Sequence, residues 1–302
     1  MSELPQRPKA VIDAHHHVWD LANDLPWLKH ERVPFRYGDY SPICRDYMPA
    51  DYRADTAGWP VVASVYVEAE WAREKAAEES RWVAAVSKAE GLPSVVVAWC
   101  DFAAPEAAAL LASHASVPIV RGVRHKPAAT PKPVEARRGA PGSMDDPAWR
   151  DGYALLERHG LSYDLQTPWW HLEAAADLAR DFPATPLIIN HTGLPADRSS
   201  EALSAWRRAL GKAAAQPNVA IKISGIGLPG QSWTVANNGP VIRDAIAIFG
   251  TDRAMFASNF PVDSLVGAFD TIFSGFLEAT AMFPETDRGK LFHDNAKRIY
   301  RI

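Results

Sequence analysis

The sequence predicts an α/β protein folded as a single (β/α)8 TIM barrel. Short β-branched apolar runs alternate with helical stretches eight times along the chain. Such alternation requires parallel strands joined by right-handed crossovers. Eight units in 302 residues is the size of one such barrel, so residues 1–302 are expected to form one domain. No tandem repeat or low-complexity segment interrupts the pattern.

Residues 10–14 are the first strand and open directly on His15-His16-His17. Side chains alternate along a strand, so His15 and His17 share a face and His16 takes the other. Residues 19–60 follow as a long connection with five prolines and the aromatics Trp27, Phe35, Tyr37, Tyr40, Tyr47, Tyr52 and Trp59. Loops of this length are uncommon and often functional. Its aromatics either wall a pocket or pin the loop to the barrel.

Residues 61–68 (VVASVYVE) form a second strand ending on Glu68, followed by a helix over 71–89. The third strand is 94–99 and its helix 105–114, with Pro105 in the first turn, where proline is tolerated. The fourth strand, 119–124 (IVRGVR), leads to Arg124-His125 and then to a second long loop over 126–147. A helix over 147–159 stops at Gly160. The fifth strand, 161–166, ends on Gln166, and its helix covers 168–182. Residues 186–190 (PLIIN) deliver His191, and a helix spans 199–215. Residues 219–223 (VAIKI) lead to Ser224, with a helix over 235–249. The eighth strand, 254–257, delivers Ser258-Asn259-Phe260-Pro261, and helices over 263–282 and 285–300 close the chain.

Composition narrows the function. The formal charge of −4 gives no basis for a nucleic-acid or membrane partner. Arg137-Arg138 and Arg207-Arg208 read as solvated surface. Two distant cysteines, Cys44 and Cys100, exclude a disulfide framework and CxxC chemistry. Residues 1–9 lack an apolar signal core, and no apolar run reaches membrane-spanning length. The expectation is a cytoplasmic enzyme with a small-molecule substrate; a homo-oligomer is left open.

Barrel active sites lie at the carboxyl ends of the strands. Here those ends carry His15, His17, Glu68, Arg124, His125, Gln166, His191, Ser224 and Asn259. Three imidazoles around one mouth can hold a divalent metal with an open position for water. They can equally act without metal, as donors polarising a carbonyl oxygen.

At these residues the chain resembles the amidohydrolase superfamily, in particular the lactonase-like barrels of amidohydrolase-related family 2. Those enzymes open sugar lactones, muconolactone-type lactones and pyrone dicarboxylates. The matching stretches are IDAHHHVWDL with Pro26-Trp27-Leu28, YVEAEW, VRGVRH, LSYDLQ, IINHTGLP, IKISGIG, MFASNFPVD and HDNAKRIY. They run in order from residue 11 to residue 300. The resemblance implies that His15, His17 and His191 are catalytic and are the ligands of any metal. One zinc or manganese ion and metal-independent catalysis both remain open. It also implies that Arg124 and His125 hold substrate oxygens, with Glu68, Gln166 and Trp169 bordering the substrate. Trp169 and its neighbour Trp170 either wall the pocket or pack the start of a helix. Arg121 and Arg124, three apart on a strand, face opposite ways, and Arg124 lies nearer the mouth.

One departure matters chemically. Relatives place an aspartate on the eighth strand to take a proton from water; this chain has Asn259. An amide can orient water but cannot accept its proton at neutral pH. Asp263 either replaces that base by folding back or caps the helix that follows. Glu68, Glu70, Asp164 or a metal that lowers the pKa of its bound water are further substitutes. A second departure is Asn190, where relatives often carry aspartate. Lys222 either reaches into the barrel as a functional group or is an ion-paired structural lysine. The expected function is hydrolysis of a cyclic ester. Metal-dependent decarboxylation of an aromatic or muconate-type acid is the rival reaction, and non-catalytic small-molecule binding a third reading.

Overall fold

The computed structural model describes residues 5–302; the first four residues of the amino-terminal stretch read above as lacking a leader lie outside it. Eight strands form one parallel sheet in the order β1 to β8. They are β1 (Val11–His16), β2 (Val61–Val67), β3 (Val95–Trp99), β4 (Val120–His125), β5 (Ser162–Leu165), β6 (Leu187–Ile189), β7 (Val219–Ile223) and β8 (Ala254–Phe256). The bridge between His16 and Phe260 brings β8 round to β1, making the sheet a nearly closed (β/α)8 barrel.

Two short helices, α1 (Pro26–Lys29) and α2 (Pro49–Asp55), sit within the connection after β1. That stretch is therefore not irregular throughout. Both helices start on a proline, whose fixed φ suits a first turn. The outer layer continues with α3 (Ala76–Glu90), α4 (Ala107–Ala115), α5 (Pro147–His159), α6 (Leu172–Asp181), α7 (Ser200–Ala214), α8 (Val235–Phe249) and α9 (Phe269–Ala279). The chain ends with α10 (Glu285–Gly289) and α11 (Asn295–Tyr300), joined through a π turn at Lys290–Asp294 rather than as one regular helix.

The core has two layers, as the strand pattern requires. One face of the strands packs Tyr66, Tyr163, Leu165, Ile189, Ile221 and others against the helices. The other face fills the barrel interior with Ile12, Val65, Val67, Val97, Ile188 and Met255. Each such side chain stabilises the fold by about 1.5–3 kcal/mol through burial. From below, Ala296 and Tyr300 of α11 plug the same interior. The polar groups at the upper strand ends thus stand on a packed apolar floor. No helix of the described residues is long and apolar enough to cross a membrane.

Candidate active site

Strand alternation positions the histidines as expected. His15 and His17 lie edge to face with ring centroids 5.1 Å apart, and His15 lies 4.7 Å from His191. His16 faces away and stacks on Tyr52 at 4.2 Å. His191 falls just beyond β6, in a tight turn where it adopts φ +53°. Gly225, itself at φ +57°, passes so close that a Cβ there would meet His191 Nδ1 at 2.6 Å. A glycine is therefore required beneath that ring.

The rings have different partners. His17 Nδ1 lies 2.7 Å from the Val67 carbonyl, which fixes it as the donor and leaves Nε2 with a lone pair. His191 Nδ1 pairs with Ser224 Oγ at 2.9 Å. His15 has both nitrogens buried without a partner. Burial, joined by the charge of Lys222, holds His15 well below the ordinary imidazole range. Burial and Arg36 do the same for His191, and burial and Arg124 hold His17 at about 3. All three are neutral at physiological pH.

Asn259, also left-handed at φ +57°, sits beside them. Its Nδ2 donates to Asp263 Oδ1 at 2.7 Å, which leaves the amide oxygen as a free acceptor on a residue that lines the cavity. The Tyr37 hydroxyl donates to the same carboxylate oxygen at 3.1 Å. Asp263 caps no helix. The helix expected to begin at residue 263 starts only at Phe269, after Ala268, and residues Val262–Leu265 form a separate 3-10 turn. That turn folds the side chain back onto Asn259. Burial raises Asp263 to about 6 against the opposing pull of Arg36.

The opposite wall is fully paired. Arg124 Nε donates to Glu68 Oε1 at 2.6 Å, Nη2 to the Glu68 carbonyl at 2.7 Å and Nη1 to Gln166 at 3.1 Å. Burial pushes Glu68 up, but Arg124, Arg73 and Lys126 outweigh it and hold it at about 2. Glu70 pairs with Lys126. Neither carboxylate is a base at neutral pH, and Arg124 has its fork occupied by protein groups.

Two sequence-derived placements need correction. His125 turns away from the mouth: its Nδ1 accepts from Trp149 Nε1 at 2.9 Å, and its ring lies 5.6 Å from Phe102. Neighbours on a strand cannot share a face, and Arg124 takes the inner one. Trp169 packs beside the Gly193 turn and edge-on to Trp170 at 5.4 Å, rather than bordering the cavity.

Lys222 and Asp164 point into the barrel and pair at 2.5 Å, both fully buried. Tyr300 donates to Asp164 at 2.9 Å from below. This is the ion-paired structural lysine, and Asp164 is committed to it. Asn190 is buried with both amide atoms unpartnered; nothing in the structure explains them.

The cavity at the mouth holds about 270 Å³. His17, Glu68, Arg124, Gln166, His191 and Asn259 line it on the barrel side. Trp27, Phe35 and Arg36 line it from the connection after β1. Trp27 and Phe35 stack at 5.8 Å with 11° between their planes. Trp27 is anchored by its Nε1 donating to the Ala69 carbonyl at 2.9 Å. These lid residues, with Ser224 as the partner of His191, are contributions that strand-end reasoning did not assign. For Phe35 and Arg36 the aromatic density of residues 19–60 was the signal, Trp27 also lay in a stretch matching the family, and Ser224 was visible at its strand end.

Among the described residues, no group of three His, Cys, Asp or Glu side chains comes together to hold a metal ion. As placed, the three-histidine set does not form a ready ligand cage, and no step below is routed through a metal.

The barrel carries His15 and His17 at the end of β1, His191 beyond β6 and Asn259 after β8. The chain belongs to the amidohydrolase family, whose match covers residues 12–302. It is 40% identical over 294 residues to the uncharacterized protein y4mH of Sinorhizobium fredii, covering 97% of this chain and 99% of that one. It is 28% identical over 303 residues to an L-fucono-1,5-lactonase of Burkholderia ambifaria, covering 96% and 95%. A crystal structure of an amidohydrolase from Burkholderia multivorans with bound zinc superposes with a TM-score of 0.78 at 25% identity, covering 97% and 99%.

Proposed function

We propose that the protein hydrolyses a small lactone. The observation that carries this reading is one cavity lined by His17, His191 and Asn259, with His15 packed against His191 and Asp263 bonded to Asn259 behind that lining. The likeness to lactonases supports it. With Ser224 donating to His191 Nδ1, Nε2 carries the ring hydrogen. His191 then donates to the lactone carbonyl oxygen, with His15 packed behind it. Neutral imidazoles suit this task, because a hydrogen bond donated in a dry site strengthens as the oxygen gains charge.

Asn259 Oδ1 accepts one hydrogen of a water and holds it toward the carbonyl carbon. The water oxygen bonds to that carbon, the carbonyl pair moves onto oxygen, and the water proton passes to Asp263. Collapse of the tetrahedral oxyanion breaks the ring C–O bond, and the proton returns to the leaving alkoxide. The product is a hydroxy acid, which ionises and releases one proton. Asp263 at about 6 is suited to accept and return a proton near neutral pH.

The test is acid release from sugar lactones, muconolactones and pyrone carboxylates, followed with a pH indicator against a His191→Ala control. Acidification above the control supports the reading. Silence across the panel, or carbon dioxide release from an aromatic acid, replaces it with the decarboxylase reading.

A further inference from the structure

We propose that Arg36 and Arg198 form an anion subsite beside His191, and that the lactone opened here carries a carboxylate. The second half rests on the lactonase reading; the subsite stands on its own geometry. Three cations line the cavity, Arg36, Arg124 and Lys126, against two carboxylates, Glu68 and Glu70. Arg124 is matched by Glu68 and Lys126 by Glu70. Arg36 is left over: among the described residues its side chain has no ion pair, and it rests on the Tyr37 ring at 4.8 Å.

Arg36 Nη1 lies 3.0 Å from where a Gly225 Cβ would stand, the same point that His191 Nδ1 approaches to 2.6 Å. Arg198 reaches the next residue, its Nη2 donating to the Ile226 carbonyl at 2.7 Å. Its Nε and Nη1 are buried without a partner. Two guanidiniums therefore flank residues 225–226 with donors to spare. Burial and the charge of Arg36 bring Arg198 down to about 10, so each cation makes the other more costly. The nearby carboxylate, Asp263, accepts from Asn259 and Tyr37 and feels the charge of Arg36 only through space, with no ion pair formed between them among the described residues. The buried N–H groups of Arg198 are costly to leave unpaired, and a carboxylate answers the guanidinium fork in shape and sign. The stacked Trp27 and Phe35 give a small ring an apolar face on the lid side.

The experiment has two arms. In the first, isothermal titration compares tetrahydrofuran-2-carboxylate, which cannot be hydrolysed, with its carboxamide. Wild type is expected to prefer the acid by about 10–100-fold, the size of a hydrogen bond to a charged group. Arg36→Met and Arg198→Met should each erase the preference while the melting temperature holds. Should either variant fold poorly, the other and Arg36→Lys, which keeps charge but loses the fork, carry the test. Equal affinity for acid and amide in wild type, including no binding of either, overturns the subsite, as does a preference that survives in both Met variants.

In the second arm, 5-oxotetrahydrofuran-2-carboxylate and its carboxamide are compared as substrates. A preference for the acid expressed in KM, and lost in Arg36→Met, supports the proposal. Lactones opened without acid preference overturn it and leave the lactonase reading standing. The acid bound but not opened does the reverse.

Discussion

Lys222 and Asp164 lie inside the barrel, Arg36 and Arg198 at its mouth, and the fold treats the two sets of charge in opposite ways. The interior pair is closed. Lysine meets carboxylate at 2.5 Å, and Tyr300 fills a remaining acceptor position. The mouth pair is two like charges, Arg198 with buried, unpartnered N–H groups and Arg36 without an ion pair among the described residues. A closed pair satisfies itself and serves architecture. An open one has desolvation cost without compensation, which a ligand can supply.

Mutations sharpen this contrast. The largest expected effect is at His191. His191→Ala should remove detectable lactone hydrolysis while circular dichroism and melting stay close to wild type. Retained turnover in the folded variant breaks the assignment.

Asp263→Asn should lower kcat by about 10²–10⁴-fold, the usual worth of a positioned base. Its pH profile carries the sign. The carboxyl is protonated below about 6 and ionised above it, so kcat/KM of wild type should fall as pH drops through that value. The histidines, held far lower, give no limb there. A limb near 6 that persists in Asp263→Asn would assign the proton to another group. Stability runs the other way. The folded value lies above the ordinary 3.8, so this group's contribution is fully present below that value and lost as pH rises through about 6.

Lys222→Met should cost about 3–5 kcal/mol in denaturant unfolding by stranding Asp164. Replacing both partners, Lys222→Met with Asp164→Leu, should recover much of the loss. A double variant as unstable as the single one would show that the pair is more than architecture. The smallest effect is expected at Ser224. Ser224→Ala removes one neutral hydrogen bond to His191 and should slow turnover by about 3–10-fold. An unchanged rate would mean that the Gly225 backbone alone orients the ring.

Legibility in the sequence followed locality. The seventh strand and the helices at 147–159 and 235–249 were readable to their ends, because apolar runs and Gly160 mark them locally. His15, His17, His191 and Asn259 were readable as strand-end groups. His125 was misplaced although alternation past Arg124 already forbade it from sharing the mouth. Asp263 was ambiguous because residues that cap helices are also those that reach back across a turn. Arg36 and Arg198 carried no local mark. Their positions depend on connections whose path is set by distant contacts, such as the Tyr40 hydroxyl holding the Trp27 carbonyl at 3.0 Å.

The seam between β8 and β1 has a consequence for the order of assembly. Asn259 N donates to the His15 carbonyl at 2.7 Å and His17 N to the Phe260 carbonyl at 2.7 Å, while the Ser258 hydroxyl meets Asp13 at 2.5 Å. The contact between Asp13 and Ser258 spans 245 residues of chain. Contacts so distant in sequence form late, because loop closure precedes any reward. The last stave to join is therefore the one that brings Asn259 to the histidines. In a refolding experiment, recovered turnover should trail recovered helical signal and report the moment the barrel shuts.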